Sequence, residues 1–389
     1  MQKEKATLVV GFEKMSPGAL TSAYTDRANP TGLIAAKMAD TYGVGDGPLT
    51  AQLFGNAGKE YMRRYGATNE DFAEIARINH EHATRNPYAQ SKRAYTLDAV
   101  LQSKTLHGPI TKLGACPPSS GAGAAVLVNQ AYLSSHPEIL SKAILIAGQS
   151  LVTDSPSVYA GSAMELVGYD MTRRAARAAL AEAKVEASEV QVVELHDCFS
   201  ANEMITLPAL GLCGEGEAHE MVRRGDVTFG GRVVVNPSGG LIGKGHPLGA
   251  TGLAQCAELV WQLRGWAGER GGWAGERAEG ERERASGAEG GPPLGRQVKG
   301  VRTALQHNLG LGGACVVTVY QRADDHSSPP LSPDQVVKQA GVGYNPATEA
   351  REVTHEDERK VQSTEVSERA MGGAEKLLQG GKGREVEKA

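Results

Sequence analysis

The 389-residue sequence lacks the patterns of several protein classes. It has no run of about 18 apolar residues, which a membrane helix needs, and no signal peptide is recognisable at its start. Its formal net charge of −4 excludes a globally basic nucleic-acid binder. We therefore expect a soluble intracellular protein with no membrane span and no nucleic-acid partner.

Cysteine is also scarce, and the five cysteines are Cys116, Cys198, Cys213, Cys256 and Cys315. Their number is odd, their spacing is wide and no CxxC pair occurs, which excludes a disulfide framework and a zinc ribbon. We accordingly predict no metal site. Because a free cysteine packs as a small apolar side chain, most of these thiols are expected to be buried.

Apolar strands alternate with helical patterns in the second half of the chain, residues 143–322. The clearest helical period covers residues 171–184. This alternation predicts an α/β sheet covered by helices. Apolar runs at residues 7–12 and 121–129 predict two further strands, which we interpret as buried core strands of a first half, residues 1–142.

Three polar segments interrupt or follow this order. Residues 16–110 are interpreted as an inserted loop subdomain at the surface. Residues 265–297 repeat the sequence GWAGER and are interpreted as a solvated insertion, in which Trp266 and Trp273 belong either to a duplicated linker or to a partner-binding segment. Residues 323–389 are charged and are expected to form a disordered tail.

Three motifs follow predicted strands, and ligands of parallel α/β sheets bind beyond the carboxyl ends of the strands. The first motif is His196-Asp197-Cys198. A histidine and a cysteine on one turn can serve as acid, base or donor to an oxyanion. Taken alone, the motif also fits a hydrogen-bonded histidine beside a buried thiol.

The second motif is the glycine-rich sequence NPSGGLIGKGHPLGATG at residues 236–252. It is not a phosphate-binding loop, because Lys244 is followed by Gly245 rather than by Ser or Thr. His246 lies between a glycine and a proline, just before a predicted helix. This arrangement suits a general base whose backbone approaches the substrate closely.

The third motif, HNLGLGGA at residues 307–314, lies between the last two predicted strands. The backbone N–H groups of Gly310 and Gly312 are candidates for part of an oxyanion hole. Hairpin turns also use glycine, so both interpretations stay open at this point.

Together, the segments HDCFSANE, GHPLGATG and ALQHNLGLGGACVVTVY resemble the thiolase superfamily, and in particular the sterol carrier protein type of 3-ketoacyl-CoA thiolase. The earlier segments LVVGFEKMS, FGNAGKEYMRRYG and NPYAQ agree with this resemblance. It covers roughly residues 7–264 and 298–320. The resemblance implies the layered αβαβα fold of thiolases, here with an incomplete N-terminal half.

The resemblance implies acyl transfer from a 3-ketoacyl-CoA to coenzyme A, which acts as co-substrate, with no covalently bound cofactor. By motif match, His246 is the base that activates the nucleophile, and His196 belongs to the first oxyanion hole. Cys198 is the second, acid/base cysteine, which other members carry at the position of Gly310. Gly312 offers its N–H to the acyl-enzyme oxyanion. The residues that bind the acyl chain are unknown.

One family feature is not matched. The nucleophilic cysteine is expected upstream of the strand at residues 7–12, and none of the five cysteines has its sequence context; Cys116 matches a later core strand region. We therefore expect a thiolase whose activity is impaired. The alternative is a non-catalytic remnant that binds acyl-CoA or lipid, or that pairs with an intact thiolase subunit.

The resemblance also implies partners and a location. It suggests a homodimer, or pairing with a full-length thiolase, and it suggests the peroxisome. The chain ends in Glu-Lys-Ala rather than in a Ser-Lys-Leu type signal, so import rests on the resemblance alone and the cytoplasm is the other expectation.

Overall fold

The structure is a computed structural model that describes residues 5–15, 26–27, 29, 31–268, 295–351, 354–356 and 359. Contacts divide the chain into two units, Met1–Glu349 and Ala350–Ala389. Within the described residues, the α-helices of the first unit are α1 (Thr31–Tyr42), α2 (Leu49–Tyr65), α3 (Asn69–Ala83), α4 (Leu97–Leu101), α5 (Gln130–Ser135), α6 (Ala163–Leu166), α7 (Tyr169–Ala183), α8 (Ser200–Ala209), α9 (Ala218–Arg223), α10 (Gly240–Lys244), α11 (Thr251–Arg264) and α12 (Pro333–Ala340). Its strands are β1 (Ala6–Glu13), β2 (Thr105–His107), β3 (Ile110–Thr111), β4 (Gly121–Val128), β5 (Ile144–Val152), β6 (Val192–Glu194), β7 (Val234–Val235), β8 (Thr303–Gly310) and β9 (Ala314–Arg322).

A five-stranded mixed sheet has the strand order β5-β9-β8-β6-β7. Strand β6 is parallel to β7 and β8, whereas β9 is antiparallel to β8 and β5. In β6, Val193 packs in the cluster that contains α7, and its neighbour Val192 packs in the cluster that contains Leu259 of α11. Helices therefore cover both faces, and the predicted α/β class is confirmed.

Helices α2 and α3 lie within the core, although the polar segment at residues 16–110 was expected at the surface. Phe54 and Tyr61 of α2 and Phe72 of α3 are almost fully buried. Polar residues of α3 are buried as well, because they are hydrogen-bonded; the His82 ring, for example, contacts the backbone oxygen of Asn236 at 3.1 Å. The surface placement was wrong for these two helices, while the boundary at residue 142 stays a prediction.

Strands β1 and β4 form a separate antiparallel ribbon with Val10 opposite Ala124. One face of this ribbon packs on α11, where Gly11 and Gly123 lie against Leu253. The opposite face is apolar and open, with Leu8, Phe12 and neighbouring Val10 and Val126 between 59% and 73% exposed. The expectation that both strands are buried core strands is therefore wrong for this face.

The described parts of the predicted insertion and tail contain paired backbone and a helix, where we expected a solvated insertion and a disordered tail. The insertion begins and ends at paired backbone, since the N–H groups of Arg296 and Gln297 donate to the carbonyls of Ala267 and Gly268. Trp273 and most of the insertion lie outside the described residues.

Beyond residue 323 the chain contains α12, where we expected disorder. Val336 of α12 packs against Trp266, and the Trp266 Nε1–H donates to Gln339 at 3.0 Å. Residues 360–389 lie outside the described part. None of the helices in the described ranges combines the length and apolar composition that a bilayer span requires.

Candidate active site

The first two motifs meet beyond the carboxyl end of β6. His196 lies two residues beyond the end of β6, and His246 lies in the loop between α10 and α11. Their ring centroids are 5.1 Å apart, with an interplanar angle of 74°. The structure thus brings together two histidines that are 50 residues apart in the sequence, and each belongs to a motif that follows a strand.

His196 is buried, and hydrogen bonds hold both its ring and its backbone. Its Nδ1 lies 3.0 Å from the Asn202 amide nitrogen, which also donates to the His196 carbonyl oxygen. Its backbone N–H donates to Nδ1 of His307 at 3.4 Å. Burial, together with the neighbouring His246 and His307, lowers the pKa of His196 well below its usual value. The ring is therefore neutral at neutral pH.

His246 is held by a turn that only glycine accommodates easily. Gly245 has φ = 108°, and a Cβ there would lie 2.6 Å from the Ser119 hydroxyl. That hydroxyl accepts the backbone N–H of His246 at 3.0 Å. Nδ1 of His246 lies 2.7 Å from the Thr251 hydroxyl. Burial, with a contribution from Lys244, lowers the pKa of His246 to about 4, so this imidazole is also neutral at neutral pH.

Cys198 lies on the turn that begins with His196, and Cys116 is beside it. Ala115 and Phe199 form an antiparallel bridge, and the N–H of Cys116 donates to the Cys198 carbonyl at 2.9 Å. Burial, with contributions from Cys116 and Asp197, raises the pKa of Cys198 well above its usual value. Burial likewise raises the pKa of Cys116 to about 12. Both groups are therefore neutral thiols, which suits a proton donor better than a nucleophile.

The third motif is a hairpin between β8 and β9. Gly310 pairs with Ala314, and Gly312, in the turn, has φ = 98°. Because β8 runs parallel to β6, the hairpin and His196 extend beyond the same end of the sheet. The role of the Gly312 N–H in an oxyanion hole stays a prediction.

A buried carboxylate that sequence analysis missed joins the first two motifs. The Asp197 carboxylate accepts the backbone N–H groups of Leu241 and Ile242 at 2.7 Å and 3.3 Å. A Cβ at Gly240 would lie 2.2 Å from that carboxylate, so the close approach requires glycine. Asp197 therefore fixes α10, which leads into His246.

Glu203 forms a second buried contact beneath the site. Its Oε2 accepts the amide N–H groups of Asn79 and Asn236 at 2.7 Å and 3.0 Å. Burial raises the pKa of Glu203 to about 7, while hydrogen bonds from the two asparagines oppose the shift. The available signal was the position of Glu203 in the sequence HDCFSANE, where an acidic residue lies in the first turn of a helix whose residues are all buried.

A third carboxylate beneath the site belongs to Glu194, the last residue of β6. It accepts hydrogen bonds from the Ser238 hydroxyl at 2.8 Å and from the Lys244 ammonium at 3.0 Å. Burial raises the pKa of Glu194, although the cation opposes the shift. In the described ranges, no group of three or more His, Cys, Asp or Glu side chains is arranged to hold a metal ion.

Known proteins are similar to this chain in sequence and in fold. The sequence profile described as "Thiolase C-terminal domain-like" matches residues 155–275. "Sterol carrier protein 2" of Gallus gallus is 49% identical over 314 residues, which are 80% of this chain and 52% of the chicken protein. This chain thus spans about half the length of that relative.

A shorter relative is matched over more of its length. "Acetyl-CoA acetyltransferase" of Methanothermobacter thermautotrophicus is 32% identical over 318 residues, which are 81% of this chain and 72% of the archaeal protein. Among solved structures, the dimeric peroxisomal thiolase of Saccharomyces cerevisiae superposes with a TM-score of 0.51 at 14% identity. The match covers 82% of this chain and 69% of the yeast chain, and it shows a shared fold.

Proposed function

Since this chain belongs to the thiolase superfamily, and within it to the sterol carrier protein 2 type, we propose that its site acts on a 3-ketoacyl-CoA and coenzyme A. In this reaction coenzyme A cleaves the 3-ketoacyl thioester into a shortened acyl-CoA and acetyl-CoA. The observation that carries the proposal is a pair of neutral imidazoles, of buried His196 and half-buried His246, whose ring centroids are 5.1 Å apart.

The acid–base part of the reaction fits the protonation of these groups. A neutral His246 can accept the proton of an attacking thiol, and His196 can donate a hydrogen bond to a thioester oxygen. Cys198, held as a neutral thiol, can protonate the carbon that departs as the acetyl-CoA carbanion. Because His196 and Cys198 are buried and His246 is half-buried, these interactions act in a region of lowered dielectric constant and are correspondingly strengthened.

The covalent part of the reaction is the weaker one in this chain. A cysteine nucleophile must react as the thiolate. Burial raises the pKa of all five cysteines, to about 12 for Cys116 and Cys213 and to about 11 for Cys315. Burial also raises the pKa of Cys198 and Cys256 above the usual value of a thiol. We therefore propose that this chain by itself is an impaired acyltransferase.

The same observation favours a second candidate function. A chain that carries His196 and His246 side by side but has no reactive thiolate can bind acyl-CoA or lipid without turnover, or can pair with a complete thiolase subunit. Assembly as a homodimer and location in the peroxisome belong to this proposal too, since the yeast protein of the same fold is named as dimeric and peroxisomal.

A thiolysis assay with acetoacetyl-CoA and coenzyme A separates the two candidates. We expect residual turnover of roughly 10³–10⁴-fold over the uncatalysed reaction, the level that binding and oxyanion groups support without the nucleophile. The residual rate should vanish in His246→Ala. The matched control is His326→Ala, because the side chain of His326 is 78% exposed.

Saturable binding of coenzyme A without any turnover above buffer would contradict the catalytic proposal and support the binding function. Turnover that survives in His246→Ala would contradict the role given to this histidine.

A further inference from the structure

The two site histidines are each held at Nδ1 by a buried polar side chain, and the two holders differ in kind. Asn202, which holds His196, is 1% exposed, and Thr251, which holds His246, is 2% exposed. A neutral imidazole carries one ring proton, so Nε2 is protonated when Nδ1 is not, and unprotonated when Nδ1 is protonated.

The orientation of the Asn202 amide is fixed by a second contact. The atom that faces Nδ1 of His196 also contacts the His196 carbonyl oxygen, in a short hydrogen bond. An amide oxygen would be repelled by a carbonyl oxygen, so this atom must be the amide nitrogen, a donor with two protons. Nδ1 of His196 is therefore an acceptor, and Nε2 carries the ring proton.

The Thr251 hydroxyl imposes the opposite state on His246. Its Oγ1 lies 3.0 Å from the carbonyl oxygen of Pro247 and 2.7 Å from Nδ1 of His246. A hydroxyl has one proton, and two oxygens at 3.0 Å repel each other unless that proton lies between them. The hydroxyl thus donates to Pro247 and accepts from the Nδ1–H of His246, which leaves Nε2 with a free lone pair.

Neighbouring groups are consistent with this pattern. Nδ1 of His307 accepts the backbone N–H of His196, so its Nε2–H is directed at the Thr172 hydroxyl, 3.1 Å away. Burial lowers the pKa of His307 to about 3. His307 is therefore a neutral ring that accepts the backbone N–H of His196, and it brings no additional proton to the His196 ring.

We propose that Asn202 and Thr251 are positioning residues that set opposite tautomers on two adjacent histidines. His196 is held as the Nε2–H donor, and His246 as the Nε2 acceptor. One member of the pair can then donate to a substrate oxygen while the other receives a proton. The assignment of tautomers follows from the contacts alone, whereas their catalytic use rests on the proposed function.

The test is a long-range ¹H–¹⁵N correlation spectrum of the full chain labelled with ¹⁵N-histidine, recorded at neutral pH without ligand. His196→Gln and His246→Gln spectra assign the two rings. We expect a protonated Nε2 on His196 and a protonated Nδ1 on His246. The opposite assignment on either ring in the wild-type chain overturns the inference for its holder, and this result does not depend on any variant folding.

Variants of Asn202 and Thr251 test whether these two side chains determine the tautomers of His196 and His246. Thr251→Val keeps the size of the side chain but removes the hydroxyl, and we expect His246 to lose its preference for the Nδ1–H form. Thr251→Ser should restore it. Asn202→Asp replaces the donor by an acceptor, and we expect Nδ1 of His196 to gain a proton. An unchanged tautomer in folded Thr251→Val or Asn202→Asp contradicts the positioning role.

The outcome is separable from that of the thiolysis assay. The expected tautomers in a chain without thiolysis would contradict the proposed function only. Thiolysis in a chain whose His246 carries its proton on Nε2 would contradict the present inference only.

Discussion

Strands β6 and β1 are both short apolar runs, yet they lie in contrasting surroundings. Val192 and Val193 of β6 are fully buried, whereas Val10 and Phe12 of β1 are 59% and 73% exposed. Strand β6 has paired neighbours on both sides and helices on both faces, and it ends two residues before His196. Strand β1 has one paired neighbour and one covered face.

The difference shows what an apolar run does and does not predict. It predicts a strand, because apolar β-branched residues favour extended backbone. It does not show how many faces are covered, since the covering elements are set by contacts distant in the sequence. The site depends on the fully covered region, while the ribbon of β1 and β4 carries its apolar face toward solvent.

The largest expected effect comes from matched truncations in the two regions. Leu195→Ala, just after β6, should lower the free energy of unfolding by roughly 2–5 kcal/mol, because Leu195 is fully buried and its loss leaves a cavity. Leu8→Ala in the ribbon should change it by less than about 0.5 kcal/mol, because Leu8 is 66% exposed. Urea denaturation of both variants measures the contrast, and equal destabilisation would break the comparison.

Buried Glu203 should make the site region dependent on pH. Its pKa in the folded chain is about 7, against an ordinary value of 4.5, so the folded state binds the extra proton. The contribution of Glu203 to stability is therefore full below pH 4.5 and is lost as the pH rises through about 7.

Glu203→Gln serves as the comparison, because its amide oxygen can still accept from Asn79 and Asn236. The advantage of the wild type in free energy of unfolding should grow by roughly 1–3 kcal/mol as the pH falls across this interval. Denaturant titrations of both proteins at several pH values provide the measurement. A difference that does not vary with pH would speak against the raised pKa.

The middle of the insertion, residues 269–294, should matter little to the stability of the folded chain. Replacing residues 269–294 with a short Gly-Ser linker should change the free energy of unfolding by less than about 1 kcal/mol, because its ends are already paired and loop length has a small entropic effect. Arg296→Ala is the matched control.

Arg296 is fully buried and paired with Glu258 at 2.9 Å, so this control should lower the free energy of unfolding by roughly 3–5 kcal/mol. Thermal unfolding of both variants distinguishes them. A deletion as harmful as the Arg296 control would show that the insertion supports the fold.

The smallest effect on stability is expected at the open face of the ribbon. Phe12→Ser should leave the free energy of unfolding within about 0.5 kcal/mol of the wild type. The same change should reduce self-association, since exposed apolar patches promote it. Sedimentation velocity over a range of concentrations measures this, and unchanged association would mean that the patch does not drive it.

Local sequence predicted the main strands and helices of the second half and the position of the His196 and His246 motifs after strands. Those features follow from apolar periodicity and from motifs placed at strand ends. The burial of α3 was not predictable in the same way, because Asn79 and His82 are polar. Their burial depends on hydrogen bonds to Glu203 and Asn236, more than 120 residues away in the sequence. Asn202 and Thr251 were missed because their effect depends on which atom faces each ring.

We propose that this chain holds the acid–base groups of a thiolase site without a reactive thiolate. The intact mass of the chain, measured after incubation with acetoacetyl-CoA and rapid acid quenching, tests this proposal. We expect an unmodified mass. An acetyl adduct that maps to any of the five cysteines, and that disappears in His246→Ala, would contradict it.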